Sequence, residues 1–203
     1  MTLKMITKQI SYLPASEEPL SAEVGIIHGA NFTWIFDVGS NAEAVKIIQN
    51  IAGRKNIVLS HFHADHMANM SRLNYTNVYC SNYTRTKLPK GLVVNSLLFF
   101  EDGGVQLRLF SLPSTHSKGA VGLEVNGEYV FLGDAVYGAP KQGKMVYNIN
   151  MLKDMLVVLA GLKAQKFLLS HAVDFIQPKE KVLTELQQLY AKRQPGEAYL
   201  RKE

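Results

Sequence analysis

Within LSHFHADHMAN, residues 59–69, His61, His63, Asp65 and His66 fall close together directly after an apolar run. Holding three imidazoles and a carboxylate together in a folded chain is costly unless they share a ligand. Neutral imidazole nitrogens and carboxylate oxygens are donors suited to zinc, with iron or manganese as competitors. His61 and His63, two apart on an extended segment, point to the same side and can grip one ion. Asp65 and His66 fall on the following turn and can face a second. Three more such groups each follow an apolar run: His116 in LPSTHSKGA, Asp134 in YVFLGDAVY and His171 in LLSHAV. A lone histidine reads as a satisfied polar group, and Asp65 alone as an N-cap. The whole set, in order and each at a strand end, has no such explanation and reads as a metal site.

The elements that must position these groups are legible in the flanking pattern. Val24–His28 and Phe32–Asp37 read as two strands around Gly29-Ala30-Asn31. Ser40-Asn41-Ala42-Glu43 reads as a capping box, with Ala44, Ile47, Ile48 and Ile51 on one helical face and Gly53 at the C-cap. Asn56–Ser60 follows as an apolar strand that delivers His61. In the second half Val105–Leu112 reads as a strand, and Ala120–Val125 and Glu128–Leu132 as a hairpin around Asn126-Gly127. Met151–Leu162 reads as a mostly apolar helix, Lys166–Ser170 as a buried strand, and Lys179–Arg193 as an amphipathic helix. Strand ends of layered α/β proteins are where ligands sit. The pattern by itself gives α/β or α+β in one domain, residues 1–203.

Composition excludes several classes. A chain of 203 residues with 47% hydrophobic and 19% charged residues can bury a substantial core, which argues against disorder. No apolar stretch is long enough for an export signal or a membrane span, and the single cysteine, Cys80, fits a reducing compartment. The expectation is a cytoplasmic protein with no membrane partner. Its net charge of +5 is spread among scattered lysines and arginines, which argues against a nucleic-acid partner; a small-molecule substrate is expected because the scaffold takes up almost the whole length.

His61-Phe62-His63-Ala64-Asp65-His66, followed by His116, Asp134 and His171, resembles the motif set of the metallo-β-lactamase superfamily, and Asp37 in WIFDVGS resembles that family's early strand-end aspartate. The resemblance runs from about residue 20 to about residue 175. It implies a four-layer αββα sandwich with a binuclear, zinc-type site on its edge. By this resemblance His61, His63 and His116 bind one metal, and Asp65, His66 and His171 the other. Asp134 bridges the two, and Asp37 supports the ligands from behind. Two such ions lower the pKa of a shared water and make it a nucleophile, and Asp65 can orient it and shuttle its proton. The implied activity is metal-dependent hydrolysis.

A bridging aspartate, where well-known β-lactamase classes place a cysteine, resembles the glyoxalase II, lactonase and phosphodiesterase branches. The stretch after His171 is short for a glutathione-binding region, and no insertion is long enough for the basic arm of the transfer RNA-processing branch. A small ester, thioester or lactone is therefore the expected substrate. The alternatives are a phosphodiesterase or nuclease, and an oxidoreductase with one iron that oxidises persulfides. A diiron flavoprotein is disfavoured by His63, where that branch has a carboxylate. Tyr137, Lys118, Lys141 and Lys144 are either substrate contacts or, respectively, a packing ring and solvated lysines. Met67 and Met70 either line the pocket mouth or fill the core. His28 reads as structural and Cys80 as a buried small hydrophobe. Segment 135–150, with Gly138, Pro140 and Gly143, reads as a loop over one side of a pocket of a few hundred cubic ångströms at most.

Overall fold

A computed structural model describes residues 1–202. Two sheets face each other. The first has seven strands, in the order Lys4–Met5, Ile10–Leu13, Val24–His28, Phe32–Phe36, Arg54–Val58, Asn77–Cys80 and Leu92–Val93. Its neighbours are antiparallel as far as Phe32–Phe36 and parallel beyond. The second has six, in the order Leu98–Glu101, Gln106–Leu112, Ala120–Val125, Tyr129–Gly133, Lys166–Leu169 and Ile176–Pro178. There only Tyr129–Gly133 and Lys166–Leu169 run parallel.

Side chains alternate faces along a strand, so each sheet buries both sides. In Phe32–Phe36, Trp34 and Phe36 face the second sheet while Ile35 faces outward. In Tyr129–Gly133, Tyr129 and Phe131 face inward, and Val130 and Leu132 outward. Helix α1 (Ala42–Asn50) covers the outer face of the first sheet with Ala44, Val45 and Ile48. After the short helices α2 (Ala64–Met67) and α3 (Asn82–Arg85) come α4 (Ile149–Ala160) and α5 (Lys179–Ala191), which cover the second sheet. They do so with Leu152, Met155, Leu159, Val182, Leu186 and Leu189. Three apolar clusters thus fill the three interfaces of four layers, and the architecture is αββα.

Local chemistry explains where the elements begin and where the sequence misled. The N-cap of α1 is Asn41, whose side chain accepts from the amides of Glu43 and Ala44. Ser40 is turned away, its hydroxyl donating to the Leu20 carbonyl at 2.6 Å. The Glu43 carboxylate meets the N-terminal amine instead of closing a capping box. The C-cap is Ile51, and Gly53 takes up the left-handed turn two residues later, at φ +80°. Helix α4 starts two residues before the expected Met151, because the Asn148 side chain accepts the Met151 amide at 3.0 Å. The hairpin at Asn126-Gly127 is as expected, with both residues in the left-handed region its tight turn requires.

The largest correction is at 135–150. The expected loop contains two strands, Ala139–Lys141 and Lys144–Asn148, turning at Gln142-Gly143. The carboxyl-terminal strand Tyr199–Lys202 pairs with the second of them and completes a three-stranded sheet. Pro140 is tolerated because it lies on an edge strand.

Candidate metal centre

Strand ends converge on one edge of the sandwich. Phe32–Phe36 ends at Asp37, Arg54–Val58 leads to Ser60 and His61, Tyr129–Gly133 to Asp134, and Lys166–Leu169 to His171. His116 follows Gln106–Leu112, and His63 serves as the N-cap position of α2, which carries Asp65 and His66. Seven ligand-type side chains therefore meet in two groups, His61, His63 and His116, and Asp65, His66, Asp134 and His171, with ligand atoms within 4.8 Å of one another in each. Asp134 joins the groups: its Oδ2 lies 3.3 Å from His66 Nε2 and 3.3 Å from His116 Nε2. His116 Nε2 is 3.1 Å from His63 Nδ1, and His171 Nε2 is 3.0 Å from Asp65 Oδ2.

The donor set fits a metal because the outer partners fix which nitrogen carries a proton. His66 Nδ1 faces Asp37 Oδ2 at 2.8 Å and must donate there. The Ser60 hydroxyl donates to the same carboxylate at 2.7 Å, so it accepts from His61 Nδ1 at 2.9 Å. His116 Nδ1 donates to the Gly138 carbonyl at 3.1 Å. Each of these rings then turns a bare Nε2 inward, the arrangement that orients metal-binding histidines. His61 Nε2, His66 Nε2 and Asp134 Oδ1 are buried with no hydrogen-bond partner among the described residues. Buried lone pairs facing carboxylate oxygens call for a cation.

Electrostatics agrees. Burial, reinforced by the rings of His66, His63 and His116, pushes the pKa of His61 far below that of an exposed imidazole. Burial also lowers His63, with His116 adding to it. At His66 burial opposes charging, but Asp37, Asp134 and Asp65 outweigh it and hold its pKa well above the usual value. The same carboxylates would draw a metal ion. Burial also works against ionisation of Asp65, yet hydrogen bonds from His171 and His66 keep its pKa below the usual carboxylate range. His171 is raised, chiefly by its hydrogen bond to Asp65.

Several supporting residues escaped the sequence reading. Ser60 links Asp37 to His61, and its own amide donates to Asp37 Oδ1 at 2.8 Å. Glu23, buried, accepts the backbone amide of His171 at 3.1 Å and so holds a residue whose φ is +60°. Burial raises the Glu23 pKa. Asp37 is likewise left-handed at φ +57°, so two residues of the rim sit in a conformation that neighbours must enforce. Ser60 and Glu23 had no local motif to mark them; Glu23 meets a partner 148 residues away. His28 lies exposed at the far end of its strand. Cys80 is buried, and burial lifts its thiol to about 11.

A cleft of about 880 Å³ opens from His116, Asp134 and His171 between α5, the turn after His171 and the three-stranded sheet. Tyr137 lines it, but its hydroxyl donates to the Ser170 carbonyl at 2.9 Å and so braces the turn that carries His171. Lys118 lies on another side, 5.6 Å from the Tyr83 ring, beside a smaller hollow of about 350 Å³. Lys141 and Lys144 are exposed on the hairpin and line neither space. Met70 fills the core under the first sheet, and Met67 packs against it.

No family model and no curated protein matches the chain by sequence. Solved structures do match by shape. A class B3 metallo-β-lactamase with an active-site glutamic acid is similar at 12% identity, over 95% of this chain and 90% of that one, with a TM-score of 0.73. An archaeal metallo-β-lactamase superfamily protein from Sulfolobus tokodaii is 20% identical over 92% of this chain and 88% of its own, with a TM-score of 0.62. A flavo di-iron protein variant from Thermotoga maritima is 13% identical over 94% of this chain, which spans 62% of that protein, with a TM-score of 0.67. The fold of this chain is the metallo-β-lactamase fold.

Proposed function

We propose that the protein is a binuclear metal-dependent hydrolase, most simply a zinc enzyme, acting on a small ester, thioester or lactone in the cytoplasm. The observation that carries the reading is Asp134 Oδ2, equidistant at 3.3 Å from His66 and His116, which ties two complete ligand groups into one site. His61, His63 and His116 would hold one ion, Asp65, His66 and His171 the second, and Asp134 both. The ions would supply Lewis acidity and a water acidic enough to act as a nucleophile near neutral pH. The chain's own residues do the rest. Asp37 and Ser60 keep the Nδ1 protons of His66 and His61 outward, so that Nε2 stays available. Asp65 places Oδ2 between His66 and His171, leaving Oδ1 to hold the proton released during attack. Glu23 and Tyr137 fix the His171 turn from behind.

A carbonyl substrate is favoured over a phosphodiester because the cleft is walled mainly by apolar side chains, with lysines interspersed among Asp174 and Glu185. The likeness to a flavo di-iron protein favours a second reading, redox chemistry at iron. Panels of thioesters, lactones, esters, phosphodiesters and β-lactams, run with zinc- and iron-loaded protein, separate the readings. The expected result is hydrolysis of a carbonyl substrate by the zinc form. A phosphodiester kcat/KM about a hundredfold above every carbonyl substrate would replace the substrate class; that gap is about 2.7 kcal/mol in transition-state binding.

A further inference from the structure

We propose that the substrate carries a straight aliphatic chain, which lies in the cleft along α5 while its carbonyl sits at the metal centre; this rests on the hydrolase reading above and enlarges the small substrate given there. The cleft is larger than a compact lactone or acetyl ester needs: its volume of about 880 Å³ exceeds the few hundred expected from the sequence. It is also elongated. Lys181, Glu185, Gln188 and Lys192 line it at helical spacing, and the rise from Lys181 to Lys192 is roughly 16 Å.

Strand register gives the direction. Lys166–Leu169 sends its carboxyl end to His171, whereas α5 begins after Pro178, which pairs with Lys166 at the opposite end. The helix therefore starts away from the metal centre and returns toward it. At the far end the lining is a satisfied polar pair, Lys181 donating to Gln177 at 2.8 Å.

The floor decides the chemistry of the occupant. Val136, Tyr147, Leu169, Val182, Leu186 and Leu189 line it, all buried. Two large apolar side chains stand uncovered on its rim: Met145 is 43% exposed, and Val173 fully so. Both line the cleft, so an apolar ligand lying in it would cover them along with the floor. Lys181, Lys192 and Lys202 are interspersed with Asp174 and Glu185, so the cleft carries charge of both signs. An aliphatic chain covers Met145 and Val173 and follows the floor. In the reaction, water adds to the acyl carbonyl, the bond from carbon to the ester oxygen or thioester sulfur breaks, the leaving group takes a proton, and a long-chain carboxylate remains.

The experiment uses metal-reconstituted protein with two probes: p-nitrophenyl esters from acetyl to dodecanoyl, and a saturated methyl ketone of matching length, which cannot be hydrolysed. Expected are a kcat/KM that climbs about two- to fourfold per added methylene until the cleft is filled, and calorimetric binding of the ketone. Met145→Glu and Val173→Gln should each weaken ketone binding about tenfold and lower the ratio of long- to short-chain kcat/KM. Cleavage with no dependence on chain length, and no ketone binding, overturns the aliphatic assignment while leaving the hydrolase reading intact. Ketone binding that both variants weaken, with no ester cleaved, upholds the assignment and removes the hydrolase reading.

Discussion

A buried aspartate stands at each end of strand Phe32–Phe36, and the two have opposite consequences. At the metal edge Asp37 accepts from the Ser60 amide, the Ser60 hydroxyl and His66 Nδ1 at 2.7–2.8 Å. At the other end Asp102 reaches across from the second sheet and accepts from the amides of Asn31 and Phe32, the Asn31 side chain and Trp34 Nε1. Both carboxylates satisfy several donors, and both are nearly inaccessible. Burial works against ionisation of Asp102, but its hydrogen bonds to Asn31 and Trp34 outweigh that and lower its pKa. Each also has a glycine pressed against its neighbourhood. A Cβ on Gly29 would lie 2.2 Å from Asp102 Oδ2, and one on Gly133 would lie 2.7 Å from the Ser60 side chain. The difference lies in the donors. Asp102 ties down backbone and an indole, so it holds the two sheets together. Asp37 ties down the His66 imidazole directly and that of His61 through Ser60, each with its other nitrogen left bare, so the same hydrogen bonding becomes a means of aiming ligands.

The contrast can be broken by substitution. The largest effect should come from Asp134→Ala, which removes the atom shared by both ligand groups. Hydrolytic kcat/KM should fall by more than the roughly 10–100-fold that loss of an orienting partner costs, with metal retention falling in parallel. Asp37→Ala comes next: metal affinity, read by chelator competition, should drop about 10–100-fold. Asp102→Ala should act the other way round. Stranding the donors of Asn31, Phe32 and Trp34 should cost about 2–4 kcal/mol and lower Tm by roughly 5–15 °C, while metal affinity per folded molecule stays at the wild-type value. Equal metal loss in the Asp37 and Asp102 variants would erase the distinction. His28→Ala, exposed at the Asp102 end, should fall within about 0.5 kcal/mol in stability and leave metal affinity as it is.

How much of this was legible follows from the range of each interaction. His61, His63, Asp65 and His66 announce themselves because they fall within six residues, and His116, Asp134 and His171 because each comes within a few residues of the end of an apolar strand. The αββα layers were legible through the resemblance those residues carry. Ser60 and Glu23 were not, because their work is a hydrogen bond to a partner on another element, and a serine or glutamate in a local window has many uses. Asp102 was missed for the same reason. The strands at 139–148 were hidden by Pro140 and Gly143, which punctuate loops as readily as edge hairpins, and by dependence on the distant strand Tyr199–Lys202. Where Lys118, Lys141 and Lys144 lie was not legible, because sequence proximity to His116 and Asp134 does not determine which side of the rim a flexible side chain occupies: Lys118 borders the smaller hollow, and Lys141 and Lys144 border neither space.

The central claim, that these side chains form a joined two-metal centre, is tested most directly by elemental analysis of zinc-reconstituted protein after loosely held metal is removed. The expectation is about two ions per wild-type chain and a clear loss for Asp134→Ala, with Asp102→Ala still at about two. A folded wild-type chain that retains no transition metal would contradict it.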